Sequence, residues 1–339
     1  MDKVNMNMMS LADYTLSQRK TIKTKLDEIN EIIDWAPFER LLKKHMKRQP
    51  NAVGNPAYPA IVMFKCILLQ RLYDISDKQL EESLMDRISF LNFAGLKLED
   101  DVPDHTTICR FRNALARKNL GQKLLDLFTA QLNEKGFNLK KGIAVDASII
   151  RSSRHPRTTI DPMPEDRSEP EEPSVQVTHS EDTDAAWVKK GGRSYYGYKV
   201  HMAASVENDI ILGGHVTPAN RSDMKELAQV LEEVATEPGI RVYADKGYAS
   251  AENRSKVQSK GFRDGIMRKG TRGRMLSFWE VIRNKCISKV RGCIERQFGN
   301  LKRNRGLERS RYLGLAKVTQ EFFLTALVAN LIRSLSLLS

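Results

Sequence analysis

Apolar residues recur at helical intervals through the first third of the chain and at strand intervals beyond it. Ile61, Met63, Phe64, Ile67, Leu68 and Leu72 follow Pro59 at near-helical spacing, and the proline sits where a first-turn proline is tolerated. Ser76 with Gln79 three residues on makes a capping box ahead of Leu80, Leu84 and Met85. Asp104 or Thr106 can cap a helix through Ile108, Phe111 and Leu115, and a fourth helix runs from Gln122 toward Gly136. Such a cluster suits a helix-turn-helix that reads DNA, a dimerisation module or a helical cap, and periodicity does not choose among them.

After Gly142 the pattern changes to short β-rich runs: Ile143 to Ile150, Tyr196 to Val206 and Ile210 to Val216, with a turn at Glu207, Asn208 and Asp209. A helix from Asp223 to Val234, capped by Ser222, leads to a strand at Arg241 to Ala244 and a helix after Ser250. A long helix follows from Ser277 to Arg303. These elements predict a mixed α/β domain over 139–339 behind an all-helical N-terminal domain over 1–138. Between them, residues 151–190 are rich in Pro, Glu, Asp, Ser and Thr and poor in large apolar side chains, which predicts a mobile acidic insertion. Trp187 and Trp279 are single aromatics, expected to be packing anchors.

Charge sharpens the picture. The net charge is +13, and it is regional: residues 241–311 hold 20 basic against 6 acidic side chains, whereas 161–184 hold 9 acidic and one basic. Successive elements carry the excess, including Lys302, Arg303, Arg305, Arg309 and Arg311, as a phosphate-tracking surface would. Cys66, Cys109, Cys286 and Cys293 show no paired zinc-ligand spacing and are expected to be reduced core residues. No secretory signal is evident, so a cytoplasmic, nucleoid-associated chain is expected. Phe322 to Ile332 is about half the length needed to span a bilayer and is expected to form a buried helix, with no membrane partner.

Three carboxylates stand out. Asp146, in Val145-Asp146-Ala147-Ser148, lies on an apolar strand where an unpaired carboxylate is costly to bury, so a cation or an arginine must compensate it. Asp245 follows the later short strand, Arg241 to Ala244, ahead of a glycine turn, and ligands collect at the carboxyl ends of strands in open sheets. On the long helix, Arg291, Glu295 and Lys302 share a narrow stripe opposite an apolar half. Three such carboxylates suit a pair of Mg²⁺ ions, which prefer oxygen ligands, and a two-ion site activates the attacking oxygen and stabilises the leaving one. Arg291 and Lys302 would then hold phosphates beside the ions.

Those blocks, Val-Asp-Ala-Ser at Asp146, Ala-Asp-Lys-Gly-Tyr at Asp245 and Arg291-x3-Glu295-x6-Lys302, resemble the catalytic blocks of bacterial insertion-sequence DDE transposases, especially the insertion sequence five group. The stretches Gly197-Tyr198-Lys199-Val200-His201, Thr217-Pro218-Ala219-Asn220 with Asp223, and Pro103 to Arg112 are similar too. The position three before the arginine, often tyrosine in that signature, is Ser288. The resemblance implies a ribonuclease H-like catalytic domain with Asp146, Asp245 and Glu295 as catalytic and metal-binding residues, served by two Mg²⁺ ions or by Mn²⁺. It implies a transposase that cuts the inverted-repeat ends of its element and joins the 3′ ends to target DNA, acting on double-stranded DNA as a homo-oligomer, expected to be a dimer. Arg291, Lys302, Lys199, His201 and Tyr248 become candidate DNA contacts. A structure-specific nuclease of the same fold and a domesticated DNA-binding protein without catalysis are the alternatives.

Overall fold

The computed structural model describes residues 23–46, 57–137, 142–160, 175–178, 180–234 and 238–338. Its N-terminal part is helical: α1 (Lys25–Ile32), α2 (Ala36–His45), α3 (Ala60–Tyr73), α4 (Asp77–Asp86), α5 (Ile88–Ala94), α6 (His105–Arg117) and α7 (Gly121–Glu134). The Ser76 and Gln79 capping box forms as the spacing predicts, and Asp104 rather than Thr106 caps α6, its carboxylate accepting from the Thr107 amide at 2.8 Å. Helix α3 is buried almost all round, from Ile61 to Arg71, so it forms the centre of the helical layer rather than one face of it.

The α/β part follows as β1 (Ile143–Arg151), β2 (Arg157–Ile160), β3 (Val175–Thr178), β4 (Ala186–Lys190), β5 (Arg193–Ser205), β6 (Ile211–Pro218), α8 (Asp223–Glu233), β7 (Arg241–Ala244), α9 (Ala251–Ser259), β8 (Arg263–Ile266), α10 (Phe278–Arg303) and α11 (Leu315–Leu338). The main sheet runs β4-β5-β1-β7-β8, with β6 also paired to β5, and β2 and β3 form a separate ribbon. Strand β1 is antiparallel to β5 and parallel to β7, which is parallel to β8. Ser222 precedes α8 as expected but its side chain makes no capping hydrogen bond. The segment 151–190 departs from expectation. Residues 161–174 and 179 lie outside the described residues, but the remainder carries β2, β3 and β4, so acidic composition here masks strands held by main-chain pairing.

Helix α11 joins the two layers. It is the one helix among the described residues long and apolar enough to cross a membrane, yet Val318, Phe322, Leu324, Leu327, Val328 and Leu331 are buried against α3, α6, α7 and β6. The buried Asn330 side chain pins it to the sheet, accepting from the Ile211 amide at 2.9 Å and donating to the Ile211 carbonyl at 2.8 Å. One continuous apolar cluster therefore runs from Leu26 to Leu331, and burying it is the main favourable term in folding.

Candidate active site

The parallel pairing of β1 and β7 sets Ile143 against Val242 and Ala144 against Tyr243. Two residues further along each strand, the same register brings Asp146 level with Asp245, at the carboxyl end of β7. Asp245 turns the chain there: its Oδ1 accepts from the Gly247 amide at 2.7 Å and caps a short 3₁₀ turn, Lys246–Tyr248. A β-carbon at Gly247 would meet that oxygen at 2.8 Å, so a larger residue there would push the Asp245 carboxylate aside.

Asp146 is mostly enclosed, and Arg291 of α10 closes it with a 2.8 Å ion pair from Nη2. The other carboxylate oxygen accepts from the Ala147 amide at 2.8 Å. Burial pushes the Asp146 carboxyl above its ordinary value; Arg291 and the Ala147 amide oppose that, and the charge of Asp245 adds to it. Arg291 is therefore the one ion-pair partner of Asp146 among the described residues. Glu295 lies one turn beyond Arg291 and is exposed. Among the described residues no three His, Cys, Asp or Glu side chains converge as a metal would require, so two carboxylates stand level and the third is on the facing helix.

The other candidates divide by depth. Arg291 is 6% exposed and committed to Asp146, so it orients that carboxylate instead of offering itself to a phosphate. Lys199 is tied to Asp223 at 2.7 Å and to the Arg221 carbonyl at 2.6 Å. His201 is fully buried with its Nε2 3.1 Å from the Thr217 hydroxyl, and Tyr248 is 1% exposed. Neither reaches the surface where a DNA backbone could run, because the inward faces of β5 and the 3₁₀ turn carry them. The Tyr248 hydroxyl has no partner among the described residues; burial, then the charges of Asp146, Asp223 and Asp245, hold its proton on well above the ordinary phenol value. Only Lys302 opens onto a pocket, of about 220 Å³, shared with Arg151, Lys190 and Tyr195. Those three were not legible as site residues, although the Gly191-Gly192 pair between two β-rich runs is a hairpin signal.

Trp187 and Trp279 are corrected as well: they are 51% and 75% exposed, so neither anchors the core. Trp279 lines a cleft of about 660 Å³ between α9 and the loop before α10, together with Arg254, Arg268, Lys269 and Arg274.

Residues 138–331 match the model of the transposase DDE domain, and residues 14–114 match that of a second transposase domain, DUF772. The transposase for insertion sequence element IS1106 of Neisseria meningitidis serogroup B is 39% identical over 232 residues, 68% of this chain and 78% of that protein. Among solved structures, a piggyBac transposase synaptic complex with hairpin DNA aligns over 94% of this chain and 76% of its own at 11% identity and a TM-score of 0.45. A Mos1 transposase paired-end complex with left transposon end aligns over 95% and 90% at 11% identity and a TM-score of 0.21. With its family model spanning both aspartates and the helix that carries Glu295, this chain belongs to the DDE-domain transposases and is a DNA transposase.

Proposed function

We propose that the chain cuts DNA at the inverted-repeat ends of its own element and joins the freed 3′ ends to target DNA, with Asp146, Asp245 and Glu295 as the catalytic carboxylates. The observation that carries this reading is the level placement of Asp146 and Asp245 on adjacent parallel strands under the helix bearing Glu295. The sheet order, β6-β5-β1-β7-β8 with the first pairs antiparallel and the last parallel, supports a ribonuclease H-like fold for 139–339 behind a helical domain over 1–138.

The donor set fits hard divalent cations: it is all carboxylate oxygen, and the mutual repulsion of Asp146 and Asp245 is what a cation would relieve. Bound there, Mg²⁺ ions would supply activation of the attacking oxygen and stabilisation of the leaving one. The chain's own residues do the rest. Arg291 fixes the orientation of Asp146 and favours its ionised form against burial, and Lys302 holds backbone phosphate beside the carboxylates. In the first step a water oxygen attacks the phosphorus and the 3′ oxygen leaves with a proton; in the second that 3′ hydroxyl attacks a target phosphate and releases the target's 3′ oxygen. Joining two ends requires a homo-oligomer on DNA, and a dimer is the smallest that serves.

The test compares the native chain with Glu295→Gln on duplex DNA carrying the element's ends with Mg²⁺. Cleavage and joining should both fall by about a hundredfold or more, beyond the roughly 10- to 100-fold that residues behind metal ligands cost, while end binding persists. Equal activity would remove Glu295 from the site. Cutting without joined products in the native chain would favour a structure-specific nuclease.

A further inference from the structure

Strand β5 is longer than the strands beside it. It pairs with β1 through Gly197–Ser205 and with β6 through residues 198–204, but with β4 through Arg193–Gly197. Residues 186–197 therefore form a two-stranded ribbon that overhangs the sheet. Gly191 and Gly192 close it with φ of 58° and 78°, the left-handed pair that a tight hairpin turn demands.

A ribbon with no core beneath it is marginal by itself, so its root must be held. The 1% exposed Asp182 does this: it accepts from the Ser152 hydroxyl at 2.5 Å, from the Tyr198 hydroxyl and from the Gly314 amide at 3.0 Å. Tyr196 donates to the Asp182 carbonyl at 2.8 Å. The backbone of Arg151 is bracketed on the other side, donating to the Glu308 carbonyl at 3.0 Å and accepting from the Ser310 amide at 2.8 Å. The root is thus fixed, while the tip presents Lys189, Lys190 and Arg193, all exposed and none in an ion pair with a described residue.

The side chain of Lys190 also lines a pocket of about 220 Å³, which gathers it with Arg151 and Lys302 around Ser148 and Tyr195, against one carboxylate, Glu308, which pairs with Arg151 at 2.6 Å. Three cations and one anion leave a net positive charge. Burial pushes the Lys302 amine below its ordinary value, and Lys190 and Arg151 push it further against Glu308, so the pocket is short of negative charge. It also adjoins the carboxylates: Ser148 is two residues along β1 from Asp146, about 6.6 Å at strand rise, close to the step between neighbouring phosphates of one DNA strand. The charge of Lys190 is felt at Asp146 itself.

We propose that this pocket, built by Arg151, Lys190 and Lys302, binds the DNA phosphate next to the one that is cut, and that the β4–β5 ribbon grips the following backbone through Lys189 and Arg193. The partner is the DNA that enters the carboxylate site, so the placement rests on that site being where DNA is cut. A two-stranded ribbon is a shape that a major groove admits, and the exposed Trp187 packed on Tyr196 at 5.2 Å stiffens it.

The experiment measures binding, without divalent metal, of a short duplex carrying the element's end and flanking DNA. Replacing Lys189, Lys190 and Arg193 together by alanine should flatten the plot of log affinity against log salt by about 2 to 3, near 0.9 per lost phosphate contact. A duplex with one neutral methylphosphonate beside the scissile phosphate should bind the native chain about tenfold more weakly, and the single variant Lys190→Ala with little further loss. An unchanged salt slope in the triple variant, or a methylphosphonate penalty equal in native and Lys190→Ala proteins, overturns the proposal. Because no cleavage is read, failure here leaves the Glu295→Gln test standing, and failure of Glu295→Gln leaves this one readable.

Discussion

His201 illustrates how far a residue's role depends on depth. Its place in a motif beside Lys199 makes it a candidate contact, but the strand turns it inward, where burial pushes the imidazole down to about 4 against the opposing charge of Asp223. The unfolded chain, with an ordinary value near 6.5, takes up the proton first. Stability from this group is therefore complete above about pH 6.5 and falls as pH drops toward 4, by about 3 kcal/mol across the window. Urea midpoints at a series of pH values, compared between the native chain and His201→Asn, should diverge over that range; parallel profiles would mean the ring is not neutral in the fold. The carboxylates were legible because an acid on an apolar strand must be compensated, and the strand periods around Asp146 and Asp245 are clear. The pairing of Arg291 with Asp146 was not, since it joins residues 145 apart in sequence and nothing local distinguishes a buried guanidinium from one on a phosphate.

At the scale of elements, period and capping chemistry located β1, β6, β7, the Ser76 capping box and the full span of α10, because each buries one face and is bounded by its own signals. The β4–β5 ribbon escaped for a physical reason: both its faces are partly wet, so it shows no apolar alternation, and only the Gly191-Gly192 turn marks it. Its junction with the sheet is tight. A β-carbon at Gly197 would lie 2.2 Å from the Ile150 carbonyl oxygen and 2.7 Å from the Ser152 amide, main-chain atoms that cannot move aside without opening β1 from β5. Gly197→Ala should cost about 2 kcal/mol or more, as overpacking does, and chemical denaturation would record it as a lowered midpoint. An unchanged midpoint would show that the strands part there at no cost.

Across the whole molecule, the helical layer and the sheet are joined by buried charge as well as by apolar packing. Arg71 of α3 and Glu321 of α11 pair at 3.1 Å, each almost wholly enclosed, and Arg71 also donates to Thr325 at 2.7 Å. Glu321→Gln would leave the guanidinium short of its countercharge, and breaking one side of a buried pair costs about 3 kcal/mol. A single cooperative transition moved to lower urea is expected; a change smaller than 1 kcal/mol would mean that Asp74, 3.8 Å from Arg71, takes over. Helix α11 comes after every element it packs against. On the ribosome, α3, α6, α7 and β6 must all wait with bare apolar faces until it has been made. A chain cut short before Leu315 would then be a client for chaperones and proteases, and could not accumulate as a truncated competitor for DNA.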